Sequence, residues 1–183
     1  MRKALYILGI LDDSDANWLV SNGKARQISA GTVIIQQGAP VDSVFIVIDG
    51  QLLVYTGSVE IARLLAGEIV GEISFVDLRP PSASVKAAVD SQVLAIDKAL
   101  LRAKLQKDLG FASRFYLSLA TFLADRLRVA TARLSAGQQG AAASSEEELD
   151  ELPADLLENI ALASARFDMI VKRVAAQSGL KGR

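Results

Sequence analysis

The order of apolar and polar positions divides the chain into a helical start, a strand-rich middle and a helical end. Residues 14–22 predict a short amphipathic helix with Ser14 as its N-cap, ending at Asn22-Gly23. From residue 25 to 97, short β-rich runs alternate with turn signals containing Gly or Pro, and many short strands at even spacing are typical of a sandwich, barrel or jelly roll. The predicted strands are 32–36, 44–48, 52–56, 60–65, 84–89 and 92–96.

After residue 97 the pattern becomes helical. Residues 98–106 predict a short helix, and residues 111–136 predict a long helix with one apolar side. This side is first a packing face, either within the chain or between two copies. Its members are Phe115, Leu119, Phe122, Leu123, Leu127, Ala130 and Leu134.

The end of the chain predicts a linker and one more helix. Residues 137–152 combine small residues with a run of carboxylates, which favours a flexible acidic linker. Pro153 then starts a helix with a heptad seam. This seam either packs on the chain's own jelly roll, pairs with a second copy or binds a partner protein. Its members are Leu156, Ile160, Ala163, Phe167, Ile170 and Val174.

The composition excludes several kinds of chemistry. The chain has no Cys and no His, which removes disulfides, thiol chemistry, most zinc sites and every His-dependent catalytic group. No Asp-rich loop has the spacing of a Mg²⁺ or Ca²⁺ site, so we expect no metal. Because His and Cys are absent as catalytic groups, we also expect that the protein is not an enzyme. The 20 basic and 21 acidic residues nearly balance, so no overall field attracts nucleic acid or anionic lipid.

The first residues resemble the beginning of a signal peptide, with two basic residues and a short apolar run. Asp12, Asp13 and Asp15 interrupt that run before any cleavage site, and no run reaches the roughly 20 apolar residues of a membrane span. The sequence therefore predicts a cytoplasmic protein.

The segment from residue 67 to 85, which we call the cassette, carries the candidate chemistry. Gly71 permits close backbone approach, and Glu72, Ile73 and Ser74 begin a short helix whose N–H groups suit a phosphate. Glu72 either accepts hydrogen bonds from sugar hydroxyls or interacts with the helix dipole. Two prolines follow, and then Ser82, Ala83 and Ser84 offer hydroxyl and N–H groups that close the site from the other side.

These residues resemble the cyclic-nucleotide-binding domain family, in particular its catabolite activator protein-like sensor domains. The resemblance covers residues 14 to about 135 and includes Gly31, Gly38 and Gly50 as well as Gly71-Glu72 and Ala83-Ser84-Val85. It implies an α+β, mainly β fold: a jelly roll (double-stranded β-helix) with a short N-terminal helix, a long C-terminal helix of the dimerisation type and one further terminal helix. The expected domains are the jelly roll with its N-terminal helix (1–110), the long helix (111–136), the flexible acidic linker (137–152) and the terminal amphipathic helix (153–183).

The resemblance also implies residue roles. Glu72 matches the Glu that holds the ribose 2′-hydroxyl, and Ser82 matches a Ser that binds the cyclic phosphate. The family's phosphate-binding Arg is replaced by Pro81, so Arg79 is the candidate substitute. Thr131 matches a residue that reaches the base in the partner subunit. The expected ligand-binding residues are Gly71, Glu72, Ile73, Ser74, Arg79, Ser82, Ala83, Ser84 and Thr131.

Two functions remain open at this point. The first is a stand-alone sensor of cyclic AMP, cyclic GMP or cyclic di-GMP that forms a homodimer through residues 111–136 and signals through its helices. The second is a ligand-free interaction module with the same fold, since Pro81 and Ala130 replace polar groups of the family. We expect no helix-turn-helix domain and no DNA binding, because the residues after Ala136 predict a linker and one helix only.

Overall fold

The computed structural model describes the backbone of residues 5–138 and 154–179, and the side chains within residues 8–132 and 161–176. Helices α1 (Leu5–Ile10) and α2 (Asp13–Asn22) come first, and α4 (Lys98–Lys107), α5 (Leu109–Gln138) and α6 (Ala154–Gly179) come last. The strands between them are β1 (Lys24–Ile28), β2 (Val33–Ile35), β3 (Ser43–Asp49), β4 (Gln51–Thr56), β5 (Val59–Leu65), β6 (Ile69–Val70), β7 (Ser84–Ala87) and β8 (Ser91–Asp97), with α3 (Ile73–Val76) between β6 and β7.

The strands form two antiparallel four-stranded sheets, which confirms the predicted jelly roll. The first sheet has the order β1-β8-β3-β6 and the second has the order β2-β7-β4-β5. Each sheet joins strands that are distant in sequence, as in the pairing of Phe45 with Ala95 between β3 and β8. The cassette therefore leaves the first sheet at β6 and enters the second sheet at β7.

Strand β3 shows why the first sheet is so apolar. Val44, Ile46 and Ile48 face a core shared with the helices, whereas Phe45 and Val47 face the interior of the roll. Both faces of this strand are buried, so its sequence is a continuous apolar run with no alternation. The first sheet thus separates the interior of the roll from the helices.

The predicted strands are all present, with ends that differ from the prediction by at most two residues. The structure adds β1 and β6, which the sequence pattern did not indicate. Strand β1 is mostly exposed and polar, and it is defined by its backbone pairing with β8. Strand β6 is only two residues long.

The prediction of Ser14 as the N-cap of the first amphipathic helix was wrong. Asp12 is the N-cap of α2: its carboxylate accepts a hydrogen bond from the N–H of Asp15, and the Asp15 carboxylate accepts one from the N–H of Asp12. This reciprocal capping box satisfies two backbone donors, whereas Ser14 only donates its hydroxyl to Asp12. Asp15 also binds Arg114 of α5 through two hydrogen bonds of 2.6 and 2.9 Å.

The long helix α5 uses its first half to close the core of its own chain. Phe111, Phe115, Leu119 and Phe122 are buried against α2, α3 and the first sheet. The rings of Phe111 and Phe115 lie 5.6 Å apart, which ties two turns of the helix together. Phe115, Leu119 and Phe122 are therefore not available for dimerisation, contrary to one of the two uses expected for the apolar side.

Helix α6 packs on its own chain, which settles where the described part of its seam lies. Ala163, Ile170 and Val174 are buried in the core shared with α1 and α2. Arg166 donates to the carbonyls of Leu8 and Gly9 at the end of α1, at 3.0 and 3.2 Å. Of the three alternatives for the seam, these three positions therefore pack within their own chain, and a partner protein for the seam stays a prediction. The side chains of residues 156 and 160 lie outside the described residues.

The predicted linker begins later than expected. Helix α5 continues to Gln138, so the first two of the residues 137–152 are helical, and the others lie outside the described residues. Within the described parts of the chain, no helix combines the length and the apolarity that crossing a membrane requires.

Candidate functional site

The cassette begins with a backbone turn that only a glycine fits comfortably. Gly71 follows β6 with a φ of 87°, and a Cβ atom at this position would lie 2.9 Å from the carbonyl oxygen of Ser43. The next residue, Glu72, already has helical backbone angles and leads into α3. Because Gly71 lies so close to β3, the start of α3 is held against the first sheet.

Glu72 is the central charged residue of the cassette. It is only 2% exposed, and its Oε1 lies 2.8 Å from Nη1 of Arg126 on α5. Arg126 also lies over the ring of Phe122, 4.2 Å from its centroid, and its Nη2 is 3.4 Å from the carbonyl oxygen of Ile69. Arg126 therefore connects the long helix to the carboxylate that the sequence predicted as a sugar-binding group.

The electrostatics of Glu72 reflect its burial. Burial raises the pKa of the Glu72 carboxyl, and the charge of Arg126 opposes this increase, as do the backbone N–H groups of Glu72 and Ile73. The Glu72 side chain makes no capping hydrogen bond at the start of α3, and its hydrogen-bond partner among the described residues is Arg126. A buried carboxylate with one cationic partner still has acceptor capacity for a ligand hydroxyl.

The second half of the cassette is attached to the β2 end of the other sheet. Ser84 is buried, and its Oγ accepts a hydrogen bond of 2.9 Å from the N–H of Gln37. The carbonyl of Pro81 accepts a hydrogen bond of 2.9 Å from the N–H of Gly38. Ser82, between them, is exposed, and its carbonyl oxygen is 3.5 Å from Oγ1 of Thr56.

Four of the predicted site residues lie elsewhere. Ser74 is buried: its Oγ donates to the carbonyl of Gly71 and accepts from Nζ of Lys98, so it points toward α4. Ile73 is 47% exposed. The backbone N–H of Arg79 donates to Asp77, and its side chain is exposed. Thr131 is exposed on α5, where its hydroxyl donates to the carbonyl of Leu127.

The predicted site is therefore divided between two places. Glu72 pairs with Arg126, whereas Ser74 and Arg79 line a separate cavity next to α4, which we call the α4 cavity. Glu72, Ser82 and Ser84 are not among the residues around it. The α4 cavity is lined by Pro40, Val41, Asp42, Ser74, Leu78, Arg79, Pro80, Pro81, Asp97, Lys98, Ala99 and Arg102.

Sequence reasoning did not identify Arg126 and Lys98 as site residues. They lie 54 and 24 positions from their partners Glu72 and Ser74, and only the fold brings these pairs together. The one signal was chemical: a Glu in an apolar segment needs a cation when it is buried. No group of His, Cys, Asp or Glu within the described residues has the geometry of a metal site.

Comparisons with known proteins identify the family that the strand-rich part of the chain resembles. Residues 25–108 match the family model of the cyclic nucleotide-binding domain. The Pycsar effector protein XpPycTIR of Xanthomonas perforans is 29% identical over 119 residues, which is 64% of this chain and 39% of that protein. The chain spans less than half the length of the curated relatives that it matches.

Solved structures share the fold. A cyclic nucleotide-binding domain from Methylobacillus flagellatus has a TM-score of 0.65 at 21% identity, over 76% of this chain and 85% of that chain. The catabolite activator protein of Thermus thermophilus has a TM-score of 0.58 at 23% identity, over 94% and 85%. The class of the molecule is thus the jelly-roll fold that these cyclic nucleotide-binding structures share. Residues 25–108 are a cyclic nucleotide-binding domain.

Proposed function

We propose that this protein senses a cyclic nucleotide, which binds inside the jelly roll beside the cassette and acts on α5. The family of residues 25–108 supports the class of ligand. The observation that carries the proposal is the ion pair of Glu72 and Arg126, because it joins the cassette directly to the long helix. Any ligand group that binds Glu72 therefore also affects the position of Arg126.

We propose that ligand binding changes how the Glu72 carboxylate shares its hydrogen bonds between Arg126 and the ligand. A ribose hydroxyl that donates to this carboxylate adds a second partner to a group that otherwise holds Arg126 at 2.8 Å. The ligand shifts the equilibrium between two positions of α5 only to the extent that it binds one arrangement of the Glu72–Arg126 pair more tightly than the other. The chain thus has a direct mechanical route from ligand to helix.

We propose fewer contacts with the nucleotide than the family resemblance implies, because some of the expected residues use their side chains elsewhere. We assign the sugar to Glu72, with Gly71 allowing its approach, and the cyclic phosphate to the exposed Ser82 and the adjacent N–H of Ala83. Ser74 and Ser84 use their hydroxyls in internal hydrogen bonds. Arg79 lines the α4 cavity and is no longer the first candidate for the cyclic phosphate.

Isothermal titration of the full chain against cyclic AMP, cyclic GMP and cyclic di-GMP tests this proposal. We expect saturable binding of at least one of them with one site per chain. A folded protein that shows no heat and no thermal shift with all three would contradict it, because a ligand at 100 times its Kd adds about 2.7 kcal/mol of stability.

Pro81 is the position where a substitution should improve binding. Pro81→Arg supplies the guanidinium that the family uses, and a charge-assisted contact with phosphate contributes about 1.5 kcal/mol or more, roughly a tenfold gain in affinity. The carbonyl of residue 81 keeps its bond to Gly38 in this variant. The matched control is Pro80→Arg, which adds the same charge one residue earlier. An equal gain in both variants would show a general effect of charge instead of a phosphate contact.

A ligand-free interaction module is the second candidate. The observation that favours it is that three polar side chains of the cassette have internal partners: Glu72 binds Arg126, Ser74 binds Lys98 and Ser84 binds the backbone N–H of Gln37. If both the natural chain and Pro81→Arg fail to bind the three nucleotides, this candidate replaces the sensor.

A second apolar face of α5 is proposed to form the homodimer. Leu117, Ala120, Ala124, Leu127 and Thr131 are exposed, and they repeat every three and four residues along the helix. This spacing is that of a coiled-coil seam. The face lies beside the buried stripe, so a second copy can pack on α5 without disturbing the core. Thr131 would then face the partner chain, as the family resemblance implies.

Leu127→Asp tests this dimer. Leu127 is 68% exposed, so the substitution removes apolar surface from the seam without opening a cavity in the core. We expect light scattering to give twice the 19.5 kDa of one chain for the natural protein and a single chain for the variant. Leu109→Asp is the control, because Leu109 is 79% exposed at the start of α5 and lies outside the seam. Dimers in both variants would exclude this face.

A further inference from the structure

The α4 cavity is lined by three cations that form no ion pair with any described residue. Its volume is about 510 Å³, and Arg79, Lys98 and Arg102 line it. Among the residues that the structure describes, none of these three cations forms an ion pair. Asp42 and Asp97 also line the cavity, but Asp97 is the N-cap of α4 and accepts from the N–H of Leu100.

Lys98 is the most unusual of the three. The residue is only 9% exposed, and its ammonium group donates one hydrogen bond, of 2.8 Å, to Oγ of Ser74. Burial lowers the pKa of Lys98 and the neighbouring charge of Arg102 lowers it further, whereas the charges of Asp42, Glu72 and Asp77 oppose this decrease. A buried ammonium group that forms no ion pair is unfavourable, and an anion that enters the cavity stabilises it.

Arg79 and Arg102 approach the same space from two sides. The guanidinium of Arg79 makes no hydrogen bond with any described residue. Arg102 donates to the carbonyl of Phe75 at 3.0 Å and lies over its ring, 4.7 Å from the centroid. These bonds fix the position of Arg102 and leave it further N–H donors. A planar guanidinium suits phosphate and carboxylate oxygens.

Apart from the three cations, the two carboxylates and Ser74, the wall is apolar. A phosphate ion fills only a small part of 510 Å³, which lies within the usual range of small-molecule sites. Leu78 lies at this wall with a φ of 62°, a strained conformation for a residue other than glycine. Strain of this kind is concentrated at functional sites. The apolar part of the lining is Pro40, Val41, Leu78, Pro80, Pro81 and Ala99.

We propose that the α4 cavity binds a small organic molecule that carries a phosphate group. Lys98, Arg79 and Arg102 hold the phosphate, and the apolar wall holds the organic part. This site is separate from the one proposed for the cyclic nucleotide, and Ser74 connects the two: it bonds both to Lys98 and to the carbonyl of Gly71.

Phenyl phosphate is a suitable probe, because it combines a phosphate with an apolar ring. In isothermal titration of the full chain we expect one saturable site for phenyl phosphate, weaker binding of inorganic phosphate and none of phenol. Arg79→Ala and Lys98→Met should each weaken phenyl phosphate binding by about tenfold or more, as expected for a charge-assisted contact. Arg79 is exposed, so its variant folds even if Lys98→Met does not.

The matched controls are Arg26→Ala and Lys107→Met. Both residues are exposed, and neither lines the cavity. Ser82→Ala marks the nucleotide site, because Ser82 lies outside the α4 cavity.

We expect phenyl phosphate to bind the two control variants as it binds the natural chain, and the loss of affinity in Arg79→Ala to exceed any loss in Ser82→Ala. No saturable binding, equal losses in the controls, or a loss in Ser82→Ala without one in Arg79→Ala would overturn the proposal. The last of these results would place the phosphate in the cassette.

Discussion

Asp15→Ala lowers the free energy of unfolding by about 3 kcal/mol, because it removes two charge-assisted hydrogen bonds and a cap. Asp15 is 2% exposed, and its two oxygens bind Arg114 at 2.6 and 2.9 Å. The same carboxylate accepts from the N–H of Asp12 in the capping box of α2. The pair also joins α2 to α5 across 99 positions of sequence, and the Asp15 carboxylate raises the pKa of Arg114.

Urea denaturation followed by the fluorescence of Trp18 measures this loss. Trp18 is the single Trp of the chain, and its ring lies 5.5 Å from that of Phe111 in the affected core. Asp13→Ala is the matched control: Asp13 is 78% exposed in its pair with Arg166, so we expect a change within about 1 kcal/mol. Asp15→Asn keeps the capping oxygen and should fall between the two. Equal effects of Asp13→Ala and Asp15→Ala on the free energy of unfolding would show that the burial of the Asp15–Arg114 pair does not contribute to stability.

The strands were predictable because the signals for them are local. β-branched runs and turn glycines are read from neighbouring residues, and these signals located six of the strands to within two residues. At Gly50, φ is 87° and a Cβ atom would lie 2.3 Å from Oγ of Ser91, so only glycine fits. Strand β1 was missed because its residues are mostly exposed and it depends on pairing with β8.

The side of a helix that becomes buried was less predictable than the helix itself. The sequence of α5 indicates one apolar side, but the structure buries Phe115 and Phe122 and leaves Leu127 exposed. Phe115 meets Phe75 of the cassette, at a ring distance of 6.1 Å, and that contact depends on the whole fold. When a helix buries one apolar stripe in its own chain and exposes a second one beside it, the sequence shows a single broad apolar side, and the pattern does not indicate which stripe is buried.

The candidate site shows the same limit. The sequence predicted Gly71-Glu72 from the turn and the charge, and the structure places both residues at the start of α3. The sequence could not predict that Ser74 and Arg79 turn toward α4, because their surroundings include Lys98 and Arg102 from a helix that begins after β8. The separation of Ser74 and Arg79 from Glu72 therefore depends on the whole fold.

Glu72→Gln separates ligand binding from folding, and we expect it to weaken binding of the nucleotide by roughly a hundredfold, about 3 kcal/mol. The amide removes the charge that strengthens the sugar contact and replaces the ion pair with Arg126 by a neutral hydrogen bond. Glu68→Gln is the matched control. Glu68 is also buried, and its carboxylate accepts from the N–H of Leu65 within a turn, a bond that a Gln side chain retains. Equal loss of affinity in both variants would contradict a direct role of Glu72.

The stability of Glu72→Gln provides an independent check. Burial raises the pKa of Glu72 in the folded chain, so the folded state holds this proton to higher pH than the unfolded state does. The ionised group therefore costs stability at neutral pH, and this cost disappears as the pH falls through the folded pKa. A neutral Gln avoids the cost and still accepts a hydrogen bond from Arg126, whose side chain is 26% exposed and so keeps contact with water, and we expect the free energy of unfolding in urea denaturation at pH 7 to differ by no more than about 1 kcal/mol. A variant that binds no nucleotide yet keeps this stability assigns Glu72 to the ligand, whereas parallel losses of both would assign it to the fold.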